Sequence, residues 1–123
     1  MLKHVPVSVG ELLDKISILE IKIDNITDTD KLNNVKREHE YLIQCAEDCR
    51  FPEQELLLKQ VNQQLWTVED ELRELEKQQD FGTEFVELAR SVYKLNDHRA
   101  EIKKQINLLA GSKLVEKKSY KDS

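Results

Sequence analysis

A chain of 123 residues, 39% hydrophobic and 35% charged, suits one domain with a genuine core. Its formal charge of −5 argues against a nucleic-acid or anionic-membrane surface, and no apolar run approaches the ~18 residues of a membrane span. Only three Gly and two Pro punctuate a composition rich in Leu, Glu, Lys and Gln, which speaks against a loop-rich or strand-rich fold and leaves a helical one.

The first helix starts at VSVGELL. Ser8 is a good N-cap, Glu11 completes a capping box, and Val7 and Leu12 stand where a hydrophobic staple closes, so residues 1–7 form a short leader. Leu12, Ile16, Leu19, Ile23 and Ile26 then make one apolar seam at alternating spacings of four and three. NITDTD ends this helix, and Asp28 or Asp30 caps the next. The second helix runs from about 31 to 49, with Leu32, Val35, His39, Leu42, Ala46 and Cys49 on its seam. Pro52 fits the first turn of a third helix, about 52 to 79, whose seam is Leu58, Val61, Leu65, Val68, Leu72 and Leu75. QQDFGT breaks it, with Gly82 supplying the permissive backbone. The fourth helix, about 83 to 110, continues through Phe85, Leu88, Val92, Leu95, Arg99, Ile102, Ile106 and Leu109. Gly111 ends it and leaves a tail at 112–123.

These elements describe a single all-α domain over 1–123, an antiparallel helical bundle of four main helices in which helices three and four are long. The length mismatch leaves seam uncovered, which favours a homodimer. Trp66 lies opposite the main seam of helix three, and Ile18 and Ile21 lie opposite that of helix one. Those residues suit either a subunit interface or contact with a third helix of the same chain. The start MLKHVPVSVGE lacks the features of a secretory signal, so the expected compartment is the cytoplasm, where Cys45 and Cys49 are reduced thiols.

Two seam positions hold groups that water solvates well: His39 in helix two and Arg99 in helix four. Asn96 and Lys103 lie on the same side as Arg99, and Asn107 continues that stripe. Lys15 and Glu20 border the seam of helix one, while Asn62 and Glu69 border that of helix three. A buried guanidinium must find a partner or reach water. One solution is a structural ion pair with Glu20 or Glu69. A second lets the long stems of Arg99 and Lys103 carry their charges out to solvent. The third is a polar cavity that receives a carboxylate or phosphate. There the planar fork of Arg99 and the point charge of Lys103 hold the anion, Asn96 and Asn107 orient it, and Glu20 positions Arg99. Lys15, Glu69 and His39 complete the candidate wall, His39 being of the residue type that titrates near neutral pH.

Other chemistries lack their residues. His39, Cys45 and Cys49 share one helix, whereas structural zinc needs four convergent ligands. A di-iron bundle needs Glu-x-x-His pairs, but Lys36 and Leu95 stand three before His39 and His98. There is no Gly-rich phosphate loop, and Ser17 and Ser91 have no triad context, so no metal or other cofactor is expected.

The stretches VPVSVGELLDKISILEIK, VNQQLWTVEDELRE, DFGTEFVELARSVYKLNDHRAEIKKQINLL and GSKLVEKKSY together resemble a small bacterial family of all-helical proteins of unknown function. That resemblance spans nearly the whole chain and brings no established activity; it implies a surface-glycan or sugar-nucleotide context. More loosely, LLDKISILEIKI resembles the opening helix of the all-helical chorismate mutases. Their arginine-lined pocket would imply an isomerase acting on a dicarboxylate. Helix one has no arginine, so Arg99 and Lys103, with Arg37 or Arg90, would have to supply the positive donors. The function expected is an interaction or small-ligand-binding module with a polar Arg/Lys/Asn site between helices. Its partner would be an anionic or sugar-phosphate-like molecule, or a protein.

Overall fold

The computed structural model describes residues 1–113. Four helices follow in chain order: α1 Val9–Asn25, α2 Thr29–Cys45, α3 Pro52–Lys77 and α4 Thr83–Lys113. No strand occurs among the described residues. At ~1.5 Å per residue, the 17 residues of α1 and of α2 span about 25 Å, and the 26 and 31 residues of α3 and α4 span about 39 and 46 Å. The chain forms the expected all-α antiparallel bundle, with its two longest helices packed against each other.

Local chemistry explains the helix starts. The Ser8 side chain accepts a hydrogen bond from the Glu11 N–H at 3.1 Å. The Glu11 carboxylate does not return the favour; it faces Lys103 Nζ on α4 at 2.6 Å, so only half of the capping box forms. Asp28 caps α2 by accepting from the Lys31 N–H at 3.0 Å. At α3, Phe51 occupies the cap position without a side-chain bond, and Pro52 opens the first turn. The Glu55 carboxylate reaches back to accept from the Phe51 N–H at 2.7 Å and from Arg50 Nε at 3.0 Å. Burial pushes the Glu55 carboxyl up, but these bonds outweigh it and hold the group below its ordinary range.

Two glycine assignments need correction. The break after α3 rests on Gln79, at φ 55, and no described glycine takes a positive φ. Gln79 N–H bonds to Glu76 O at 3.0 Å and Asp80 N–H to Leu75 O at 2.9 Å, the paired bonds of a left-handed helix termination. The turn therefore closes three residues before Gly82. Nor does Gly111 end α4, which runs on to Lys113. A glycine weakens a helix by up to ~1 kcal/mol without stopping it. Apart from its first two residues, the 112–123 tail lies outside the described residues.

α1 occupies the centre and packs against every other helix. Leu13, Ile16, Leu19 and Ile21 are all at most 2% exposed, more positions than one seam can bury. Ile21, expected either at a partner surface or against a third helix, is thus buried within the chain. α2 ends at Cys45, short of the expected 49, so Ala46 and Cys49 of its predicted seam fall in the link to α3. The helix packs on α1 alone and buries no residue fully, although Leu32, Val35, His39 and Leu42 are each at least half-buried. The core joins Leu13 and Ile16 to Phe51, Leu58, Val61, Ile102 and Ile106. All buried residues of α3 lie between Leu58 and Leu65 and those of α4 in its last half. The remaining halves pair with each other as a two-helix arm.

Candidate functional site

The polar side chains meet where α1, α3 and α4 come together. Asp14 on α1 is 3% exposed and takes the fork of Arg99 from α4: Nε donates to Oδ1 at 2.9 Å and Nη2 to Oδ2 at 2.5 Å. Asn62 on α3, itself buried, donates through Nδ2 to Asp14 Oδ1 at 2.9 Å and to Ser17 Oγ at 2.8 Å. Ser17 Oγ in turn donates to the Asp14 carbonyl at 2.7 Å. The bond to Asp14 raises the already high pKa of Arg99, burial pulling the other way, so the guanidinium keeps its charge. With both charges satisfied, an arrangement that would be prohibitive for either alone is tolerated.

The guanidinium is therefore paired, though with Asp14 instead of Glu20 or Glu69. Glu20, expected to position Arg99, instead accepts His39 at 3.3 Å and Lys59 at 3.5 Å. Glu69 shares a recess with Arg99 and contributes to its field without an ion pair. Asn96 Oδ1 accepts weakly from Arg99 Nη1 at 3.4 Å, and Lys15 faces Glu38 at 3.4 Å. The rest of the α4 stripe grips the start of α1: Lys103 holds Glu11, and Asn107 Oδ1 accepts from the Gly10 N–H at 2.8 Å. This contact needs a residue without a side chain, because a Cβ on Gly10 would lie 2.7 Å from the Lys103 carbonyl oxygen. Asn107, Lys103 and Arg99 thus latch α4 to α1 at Gly10, Glu11 and Asp14, which explains a hydrophilic stripe on a packed helix.

Sequence reasoning named Asn62 only as a border residue and missed Asp14. A signal was present, since Asp14 and Ser17 sit three apart with Leu12, Leu13, Ile16 and Ile18 on both sides. A helix apolar nearly all round is a buried one, and its few polar groups need partners.

Two recesses flank this cluster. A groove of about 650 Å³ runs between the leader, α1 and α2, with Lys3, Val5, Lys15, Ile18 and Tyr41 among its walls and Asp14 and Arg99 also lining it. A smaller one, about 330 Å³, is lined by Ile18, Ile21, Asn62, Trp66, Glu69, Asn96 and Arg99. Of the predicted site residues, Arg99, Asn96 and Glu69 meet at the smaller recess and Arg99 and Lys15 at the larger. Lys103 and Asn107 belong to the latch, and Glu20 and His39 to a separate contact between α1 and α2.

No described helix is long and apolar enough to cross a membrane. Among the described residues, no group of three or more His, Cys, Asp or Glu is placed to hold a metal ion. Comparison with curated proteins and with solved structures finds no match. Comparison with protein families does: a family of unknown function, DUF6165, matches residues 3–123, and the chain belongs to that family.

Proposed function

We propose that the protein is a small-ligand-binding helical module whose ligand lies in the larger groove and presents an anionic head, a carboxylate or a sugar-phosphate-like phosphate. The observation that carries this reading is the placement of Arg99, paired along one edge with Asp14, at a groove of about 650 Å³ with largely apolar walls. That size and lining match small-molecule sites, which run from roughly 300 to 1,000 Å³ with a few convergent polar groups. Arg99 with Asp14, and Glu11 with Lys103, are neutral pairs. Lys3 and Lys15 then give the groove its positive balance, Lys15 being held only loosely by Glu38. A thermal-shift screen of phosphorylated and carboxylated metabolites tests the proposal. At least one should raise the melting temperature, with the rise lost in the Lys3→Ala/Lys15→Ala double variant. An unmoved melting temperature across the panel rejects it.

A chorismate-mutase-like rearrangement needs several cations free to hold two carboxylates. Arg99, Lys103 and Lys15 each already face a carboxylate, so the geometry lends that reading no support. Chorismate turnover by the purified protein remains its direct check.

The arm favours self-association as a second property. There Val86 is 42% and Tyr93 59% exposed, and α1, which covers the other half of the hairpin, does not extend over it. A second copy laid along the arm would supply that cover. Light scattering at two protein concentrations should find a dimer, and a monomer mass at both removes the proposal.

A further inference from the structure

The smaller recess carries an inference of its own, independent of the ligand proposed for the larger groove. Asn62 lines this recess and is 5% exposed. Both its N–H groups are committed, to Asp14 and to Ser17, while its carbonyl oxygen accepts from no described residue. Turning the amide over would set that oxygen against the Asp14 carboxylate, so the assignment stands on chemistry. A buried carbonyl without a donor costs free energy until something supplies one.

Arg99 borders the same space with capacity to spare, since three of the five N–H groups of a guanidinium are used here, on Asp14 and Asn96. Arg99 Nε and Asn62 Nδ2 both bond to Asp14 Oδ1, at 2.9 Å each, which places the two side chains next to each other. The recess thus offers an acceptor and a donor side by side.

The chemistry of this pair selects the ligand. A carboxylate can accept from Arg99 but has no proton for Asn62; a phosphate can carry one, but the negative charge of either would stand beside those of Asp14 and Glu69. An ammonium can donate to Asn62 but is repelled by Arg99. A hydroxyl group does both at once. The walls supply the rest: the Trp66 indole and Ile18 form an apolar side, and the Trp66 N–H donates to no described residue. Asn96 and Glu69, both exposed, give planar polar groups at the rim. An aromatic face beside alternating donors and acceptors suits a ring with C–H groups on its faces and hydroxyls on its edge. We infer that the recess between Trp66, Asn62, Asn96 and Arg99 binds a neutral hydroxylated ring, a pyranose or a cyclitol.

The one tryptophan of the chain stands in this recess, so its fluorescence reports occupancy without a label. The intact protein is titrated with the methyl pyranosides of glucose, galactose and mannose, with myo-inositol, and with inorganic phosphate. A saturable change with at least one neutral ring and none with phosphate is the expected result. A pyranoside response identifies a sugar site, and a response to inositol alone identifies a cyclitol site. Asn96→Ala and Glu69→Ala, at exposed positions, should each weaken the response about two- to tenfold, as loss of one hydrogen bond does. No saturable change with any neutral ring means that water alone serves Asn62, and the inference fails. An equal response to phosphate, or affinity unchanged in both variants, overturns it as well.

Discussion

In the half of the α3–α4 hairpin covered by α1, Leu58, Val61, Ile102 and Ile106 are at most 2% exposed. In the arm, Leu72, Leu75, Leu88 and Val92 keep the same heptad spacing and stay partly open. Spacing decides that a helix has an apolar stripe; the number of neighbours sharing it decides how much water leaves. The polar latch follows the same division. Asp14, Asn62 and Arg99 lie only where three helices meet, because there a charge is shielded enough to need a matched partner.

The sharpest way to break this comparison is to remove one charge from the covered half. Arg99→Met strands the Asp14 carboxylate and should cost about 3–5 kcal/mol in urea denaturation. In an Asp14→Asn background the same change should cost much less, and equal costs in the two backgrounds would contradict the pairing. Next comes the apolar contrast. Leu58→Ala should destabilise by about 2–5 kcal/mol, the cost of a core cavity, and Leu72→Ala in the arm by clearly less. Equal losses would mean that the arm is covered in solution.

A smaller effect belongs to the start of α3. Because the Glu55 carboxyl is held below its ordinary range, its stabilisation is complete above the unfolded-state pKa and fades as pH falls through the lower folded value. Glu55→Gln should cost about 1.5–3 kcal/mol at neutral pH, with a flatter acid limb in a pH series of melting temperatures. At the far end of the arm, Gln79→Gly should stabilise by about 0.5–1 kcal/mol, since glycine reaches a φ of 55 without strain. A lower melting temperature for that variant would show that the Gln79 side chain contributes more than its backbone costs.

Much of the architecture was legible because it follows from local rules. Ser8, Asp28 and Pro52 start helices where capping chemistry places them, and the predicted seam positions inside α2, Leu32, Val35, His39 and Leu42, fall on its inward side. Position along the chain could not reveal that α1 is surrounded, and a single-seam reading hides a helix buried on several sides. Asp14 was lost for that reason, and Arg99 was matched to carboxylates at a similar level in an idealised bundle. The α4 stripe was visible as an anomaly, yet its use depends on how α1 lies across the hairpin, bringing Gly10 to Asn107 and Asp14 to Arg99. Gln79 escaped notice because glutamine carries no turn signature, whereas Gly82 advertises one it does not use.

α2 has a consequence for access to the larger groove. It rests on α1 alone, touches the core through Leu42 and Ile43 near its C-terminal end, and contributes Tyr41 to the groove wall. An element so lightly held should open more readily than the buried middle of α3, and the cavity exists only while it is docked. For the ligand proposed in this groove, entry and the local opening of α2 would be one process. A bound molecule would slow amide exchange along α2 and leave the middle of α3 unchanged.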